Sequence, residues 1–445
     1  MRRTFGFLLL ALLVLVGCSP RTVSPPVADL TRLVQDAGAY HGLAPDVPLL
    51  TVKVQQAAAK RFLTAHFAPW ERNEPGYPAS EAFWGLTTYA NKDLYGENTL
   101  RRSTAWLDEM RRQCRVDEYP SLNRRAIAVA NTAMRVLPTA HPAFFDFSLA
   151  GEGYPFDYMQ NSLVLAGTPL HATHLSADRA WVLVESRFAF GWVPVRDVAW
   201  VDKTVMDAFR SGAYAAVVRD GLSILDREGL YRFTGYVGTL LPVARREGEV
   251  NICLIPVRDR QGNAVLEEAI LSDQSVRPWP LPATPANFAK VANVMLGRQY
   301  GWGGLYENRD CSALTMDLMA AFGIYLPRNS SQQVKKGTYV PLDGMPRKDK
   351  KRFIAATATP FLSLIRKPGH IMLYIGQQDG DPVVLHAAWG LKTKRSGLYG
   401  RKVIGRAVIT TLEPGIELPD LARPDGLYIE AVSGMTTLPG PEIRP

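Results

Sequence analysis

The 445-residue chain is poor in cysteine, with four in all. That number excludes the disulfide framework of a small stapled secreted domain. No dense Lys/Arg block is interleaved with aromatics, which sets nucleic acid aside as a partner. The densest basic run, KDKKR at 348–352, reads as a loop. The chain has no internal repeat at solenoid periods. Its longest apolar run, FGFLLLALLVLVG, is too short for a comfortable membrane span. No CxxC or HxxxH pairing offers a closed structural zinc site.

What is present describes a globular chain: 47% hydrophobic, 21% charged and 10% aromatic residues, a length that allows roughly three domains. The 32 prolines and 36 glycines are spread out, as in a protein of many short strands and turns. The formal net charge of +9 favours acidic partners such as anionic glycans or membranes. Solvated surface accounts for it equally.

Arg2 and Arg3 precede the apolar run, which ends at Cys18. A basic start and a short apolar stretch predict a signal peptide over 1–18. Leu15-Val16-Gly17-Cys18 resembles the lipobox of bacterial lipoproteins, in which the cysteine is acylated and becomes the mature N-terminus. Ser19, rather than aspartate, follows the cysteine. The resemblance therefore implies an exported protein anchored by lipid at Cys18, on the periplasmic face of the outer membrane in a two-membraned cell.

Along the chain, residues 19–48 read as a proline-bearing tether and 49–148 as mostly helical. VKVQQAAAKRFLTAHF and NRRAIAVANTAMRVL carry apolar residues at helical spacing. From about 150 to 280 short alternating runs such as Trp181-Val182-Leu183-Val184-Glu185, followed by Gly191-Trp192-Val193, predict two small β-barrels, 149–205 and 206–280. RPWPLPATP marks a junction. Residues 285–430 then run from helices to strands, an α+β order, with 431–445 as a tail. The predicted fold is multidomain α+β.

Three cysteines lie beyond Cys18. Cys114 and Cys253 read as a pair or as two separate buried thiols. Cys311 sits in Arg309-Asp310-Cys311-Ser312, at the start of the helix CSALTMDLMAAFGI. A helix N-terminus favours thiolate, although the Asp310 charge opposes it. A nucleophilic cysteine also needs a base. Of seven histidines, only His370 and His386 follow the junction; the others read as structural or surface groups. If GHIMLYIG and PVVLHAAWG pair, both imidazoles can face the Cys311 helix, with His370 as base and His386 orienting it. On spacing alone, zinc ligation or merely satisfied strand histidines stay open.

Tyr300-Gly301-Trp302-Gly303-Gly304, Asp310-Cys311-Ser312, Gly369-His370-Ile371 and Leu385-His386 together resemble the NlpC family of papain-like cell-wall peptidases, in order and spacing. The preceding domains resemble the SH3-like modules fused to that family. Phe67-Ala68-Pro69-Trp70 and Tyr95-Gly96-Glu97-Asn98 resemble the clip-like domain of some members. The resemblance implies Cys311 as nucleophile, His370 as base and His386 as third member. Tyr300 would support the oxyanion. Asp310, Ser312 and Ser330 would contact the substrate, with Asn329 standing where several relatives carry an acid. It implies no metal or organic cofactor. The implied substrate is a peptidoglycan stem peptide, cut between γ-D-glutamate and a diamino acid, and the barrel would admit only a free N-terminal L-Ala. Two rivals are an amidase or acyltransferase with the same Cys-His order, and a non-catalytic wall-binding lipoprotein.

Overall fold

The computed structural model describes residues 26–439; the stretch 1–18 read as a signal peptide, with Cys18, lies outside them. The helix Val52–Glu71 is capped by the Thr51 hydroxyl, which accepts from the Val54 N–H at 3.3 Å. Its apolar stripe ends on Trp70, fully buried, whose indole N–H donates to the Ala126 carbonyl at 2.7 Å. That bond fastens the helical region to the first barrel.

The first barrel begins earlier than its alternating runs suggest. NRRAIAVANTAMRVL is not helical. It forms the strands Arg124–Ala128 and Thr132–Arg135 of a seven-stranded sheet. Ala126, Ile127 and Ala128 are all buried, so the segment is apolar on both faces and periodicity cannot separate helix from strand. Pairing with Pro169–Leu175 and Val198–Trp200 decides it. The second barrel runs from Tyr214–Val217 to Val276–Pro278. Cys114 and Cys253 are free buried thiols, in the helical region and the second barrel respectively.

The C-terminal domain is built on one six-stranded antiparallel sheet. Its spatial order is Thr338–Pro341, Gly434–Thr437, Ser363–Lys367, His370–Gln378, Asp381–Arg395, Leu398–Thr411. Residues 434–437, read as tail, are therefore an inner strand of this sheet. Ile371, Leu373 and Ile375 face the helices Pro285–Met295 and Cys311–Ala321; Met372 and Tyr374 face a second core on the other side. Every residue of the Cys311 helix is buried, and Phe288 stacks on Phe322 with ring centroids 3.6 Å apart.

Two other readings are corrected. KDKKR lies in the helix Arg347–Thr357, where Lys350 is buried and donates to the carbonyls of Ile429, Glu430 and Val432. The described part of the tether is no loose tether. Val27 is buried, Asp29 accepts from the Thr411 N–H at 2.7 Å, and Gln35 exchanges two hydrogen bonds with Ile409.

Three domains meet at Asn131 of the first barrel. Its amide donates to the Thr234 carbonyl and to Glu307, at 2.8 and 3.0 Å, and accepts from the Ala166 N–H. Arg309 binds Asp220 and the Val237 carbonyl of the second barrel and also Asp317 of the Cys311 helix. The barrels are thus fixed against the C-terminal domain by buried, charge-assisted bonds.

Candidate active site

The glycine turn before Cys311 exists because a strand edge presses on it. Gly303 and Gly304 have φ of 60° and 87°, and a Cβ on them would lie 2.5 Å from the Gln160 carbonyl oxygen and from the Leu163 Cβ. The Gln160 side chain also donates to the Gly303 carbonyl at 3.1 Å. The turn delivers the chain to Asp310, the N-cap, whose carboxylate accepts from the Ala313 N–H at 2.8 Å. Cys311 is the first helical residue.

Asp310 does more than cap. Its two oxygens also accept from the Gly303 N–H, the Ser312 hydroxyl and both terminal nitrogens of Arg328. Arg328 donates further to the Ser162 hydroxyl of the first barrel at 2.9 Å. Burial pushes the Asp310 carboxyl up, but Arg328, the Ala313 N–H and the Ser312 hydroxyl outweigh it and hold the carboxyl below its usual value. Both Asp310 and Ser312, predicted to contact substrate, are therefore already engaged within the protein. Ser330 begins the helix Ser330–Gln333, and Asn329 is its cap position without a side-chain cap bond. Asn329 lines a groove of about 390 Å³ with Arg72, Tyr77, Trp84 and Phe190.

The Ile371 backbone, next to His370 in sequence, favours the Cys311 thiolate, and Ile371 and Cys311 share one buried cluster. Burial first, and then the Asp310 charge, push the thiol up to about 12. The helix N-terminus does not overcome these two effects, so the thiolate expected from helix position alone is not the resting form. The His370 and His386 strands pair antiparallel, with Leu373 opposite Leu385, which sets the two histidines diagonally across one face. His370 Nε2 and His386 Nδ1 are 2.8 Å apart, and His386 Nε2 lies 2.9 Å from the Thr410 hydroxyl.

Those contacts define the proton order. The Thr410 hydroxyl donates to the Thr411 carbonyl at 2.7 Å, so it accepts from His386 Nε2–H. His386 Nδ1 then accepts from His370 Nε2–H. His370 Nδ1 is left with a free lone pair. Burial, reinforced by Lys367, brings His386 down to about 3. Burial, then His386 and Lys367, hold His370 well below its usual value. These shifts favour the neutral thiol and the neutral imidazoles.

Aromatic rings from two domains wall this region. Phe156 of the first barrel meets Trp302 and Trp389, with centroids 5.2 and 5.9 Å apart. Tyr300 lies 5.9 Å from Trp389. Burial, then the Asp310 and Cys311 charges, push the Tyr300 phenol up, which keeps it protonated as a donor. Tyr428 packs on both histidines, at 5.5 and 5.8 Å. Arg328, Thr410 and Tyr428 escaped the sequence reading. Only Arg328 carried a local signal, as a basic residue two before Ser330.

A helix carrying a buried cysteine at its N-terminus, packed on an antiparallel sheet that carries two linked histidines, defines a papain-like α+β domain. Family models match four stretches of the chain. Residues 297–401 match the NlpC/P60 family, 7–119 its N-terminal stabilising domain, 142–194 an SH3 domain of the SH3b1 type and 202–247 one of the SH3b2 type. The C-terminal domain is thus similar to the NlpC/P60 family, a family of cysteine-type peptidases, and it follows segments similar to that family's stabilising domain and to two SH3 domains. Its fold is similar to that of an NlpC/P60 endopeptidase from Photobacterium damselae subsp. piscicida, at 24% identity and a TM-score of 0.83. The match covers 92% of this chain and 98% of that one. An NlpC/P60 family protein from Bacillus cereus is 14% identical over 71% of this chain and 99% of its own, with a TM-score of 0.47. No curated protein matches the chain.

Proposed function

We propose that this chain is an exported lipoprotein endopeptidase that hydrolyses peptidoglycan stem peptides at the γ-D-glutamyl–diamino acid bond. The observation that carries the reading is the hydrogen-bonded row Thr410–His386–His370, which engages His370 through Nε2 and leaves Nδ1 for the thiol, on a strand whose next residue, Ile371, packs in one cluster with Cys311.

His370 Nδ1 takes the thiol proton as the sulfur attacks the γ-glutamyl carbonyl. Because thiol and imidazole start neutral, proton transfer accompanies attack rather than preceding it. The oxyanion forms near the Cys311 N–H, with the Tyr300 phenol as a second donor. His386 holds the ring and shares the imidazolium charge. The proton then passes from His370 to the leaving amine, and the C–N bond breaks to give an acyl-thioester. Water, deprotonated by His370, releases the acid and restores the thiol.

The Phe156–Trp302 contact supports a cleft closed by the first barrel, which favours short peptides with a free N-terminal L-Ala over intact wall. Lipid anchoring at Cys18 and outer-membrane placement belong to this reading through the lipobox resemblance. The test is mass spectrometry of the protein incubated with L-Ala-γ-D-Glu-diaminopimelate and with intact peptidoglycan, beside Cys311→Ala. Diaminopimelate released from the free peptide alone supports the reading. No release from either substrate would overturn it in favour of an amidase or a wall-binding role.

A further inference from the structure

Lys367 stands directly opposite His370 in the antiparallel register of their strands. Side chains so placed have Cβ atoms about 5 Å apart. The Lys367 ammonium lies over the Tyr428 ring, 5.0 Å from its centroid, and that same ring packs on His370 and His386. Arg401 approaches the group from the long hairpin Asp381–Arg395/Leu398–Thr411. Its charge acts on both Lys367 and Tyr428, and its guanidinium occupies the space left by Gly151 of the first barrel.

Among the described residues no carboxylate pairs with Lys367 or Arg401. The buried carboxylate beside Cys311, Asp310, is taken up by Arg328. Burial and the neighbouring Arg401 hold the Lys367 ammonium below its usual value, and the Tyr428 ring compensates only part of that cost. Two cations gathered at a catalytic cleft without an anion describe half of a binding site.

The position says which part of a substrate completes it. In the mechanism above, His370 hands its proton to the departing amine. The residue that leaves therefore sits beside His370, and the groups flanking His370 flank that residue. We propose that Lys367 and Arg401 form a carboxylate-binding subsite for the residue released from the scissile bond, so that the protein selects stem peptides whose diamino acid carries free carboxylates. The inference rests on the γ-D-glutamyl peptidase reading and adds the chemistry of its leaving group.

The test compares L-Ala-γ-D-Glu-diaminopimelate with the same peptide carrying both diaminopimelate carboxyls as carboxamides. A charge-assisted contact of this kind gives a preference of roughly tenfold to a hundredfold in kcat/KM for the acid. Lys367→Met should collapse that ratio toward one, and Lys367→Arg should restore most of it. Arg401→Gln should lower the ratio partway. Equal kcat/KM for acid and carboxamide in the wild type overturns the subsite while leaving the peptidase reading intact. So does a ratio unchanged in both Lys367→Met and Arg401→Gln. A Lys367→Met effect confined to the pH profile, with the ratio intact, would reduce Lys367 to tuning His370 and also overturns it. Turnover of neither peptide by the wild type would instead overturn the peptidase reading, and the subsite with it.

Discussion

Arg328 and Asp310 form a buried, doubly hydrogen-bonded pair immediately before Cys311, and through Ser162 the same guanidinium reaches the first barrel. The ion pair therefore ties the nucleophile's helix to the domain that walls the site.

Breaking that pair from the arginine side leaves a carboxylate in the interior without its counterion. Arg328→Met should destabilise the protein by about 3–5 kcal/mol. It should also raise the thiol further, because Asp310 already pushes Cys311 up and Arg328 opposes this. Thermal unfolding, and kcat/KM on the tripeptide in the fraction that stays folded, check both effects.

Cys311→Ala and His370→Ala should each abolish turnover and leave the unfolding midpoint close to wild type. His386→Ala should slow turnover severely but leave measurable activity, since His370 Nδ1 survives while its orientation does not. Wild-type turnover by folded Cys311→Ala would sink the mechanism.

Thr410 is a positioning residue in this scheme. Thr410→Val removes the acceptor for His386 Nε2–H and should lower kcat by about tenfold or more while KM changes little. Thr410→Ser keeps the hydroxyl and should restore most of it. A uniform loss in both variants would point to packing instead.

The two linked histidines make stability depend on pH. Their folded-state values lie below the unfolded value near 6.5, so between that pH and about 3 the unfolded chain binds protons that the folded site refuses. The stability is fully present above pH 6.5 and drains away on acidification. His386 alone should account for roughly 3 kcal/mol lost by about pH 4.5. Urea midpoints at pH 7 and 4.5, compared with His386→Asn, should show a shallower slope in the variant.

Gly304→Ala should loosen the barrel from the glycine turn. The new Cβ would sit 2.5 Å from Leu163 on a backbone with φ of 87°. A loss of about 1–3 kcal/mol is expected, from both the close contact and the conformation. Differential scanning calorimetry would register it.

The parts of the site that could be read in the sequence are those whose meaning is local. A glycine turn, a cysteine opening a helix and a histidine opening a strand each declare themselves within a few residues. Thr410 does not, because its role depends on how the His386 strand aligns with its neighbour, where His386 faces Val408. Tyr428 reaches the histidines from a short helix outside the sheet, Tyr428–Ala431. Lys367 was three residues from His370 in plain view, but only the hairpin register turns it to face that residue. The barrels' alternating strands were legible and the alanine-rich pair 124–135 was not, since burial on both faces erases alternation. KDKKR misled for the opposite reason. Its charges suggested solvent, yet Lys350 and Ile354, four apart, are both buried.

The seating of Val27 and Asp29 on the C-terminal domain sets a length. With the lipid anchor proposed at Cys18, eight Cα–Cα steps separate the acylated cysteine from the first described residue, Pro26. Fully extended, they span at most about 28 Å. Such a leash is shorter than the molecule it holds. The protein would rest against the leaflet instead of ranging through the compartment, working as a stationary gate on fragments that drift past.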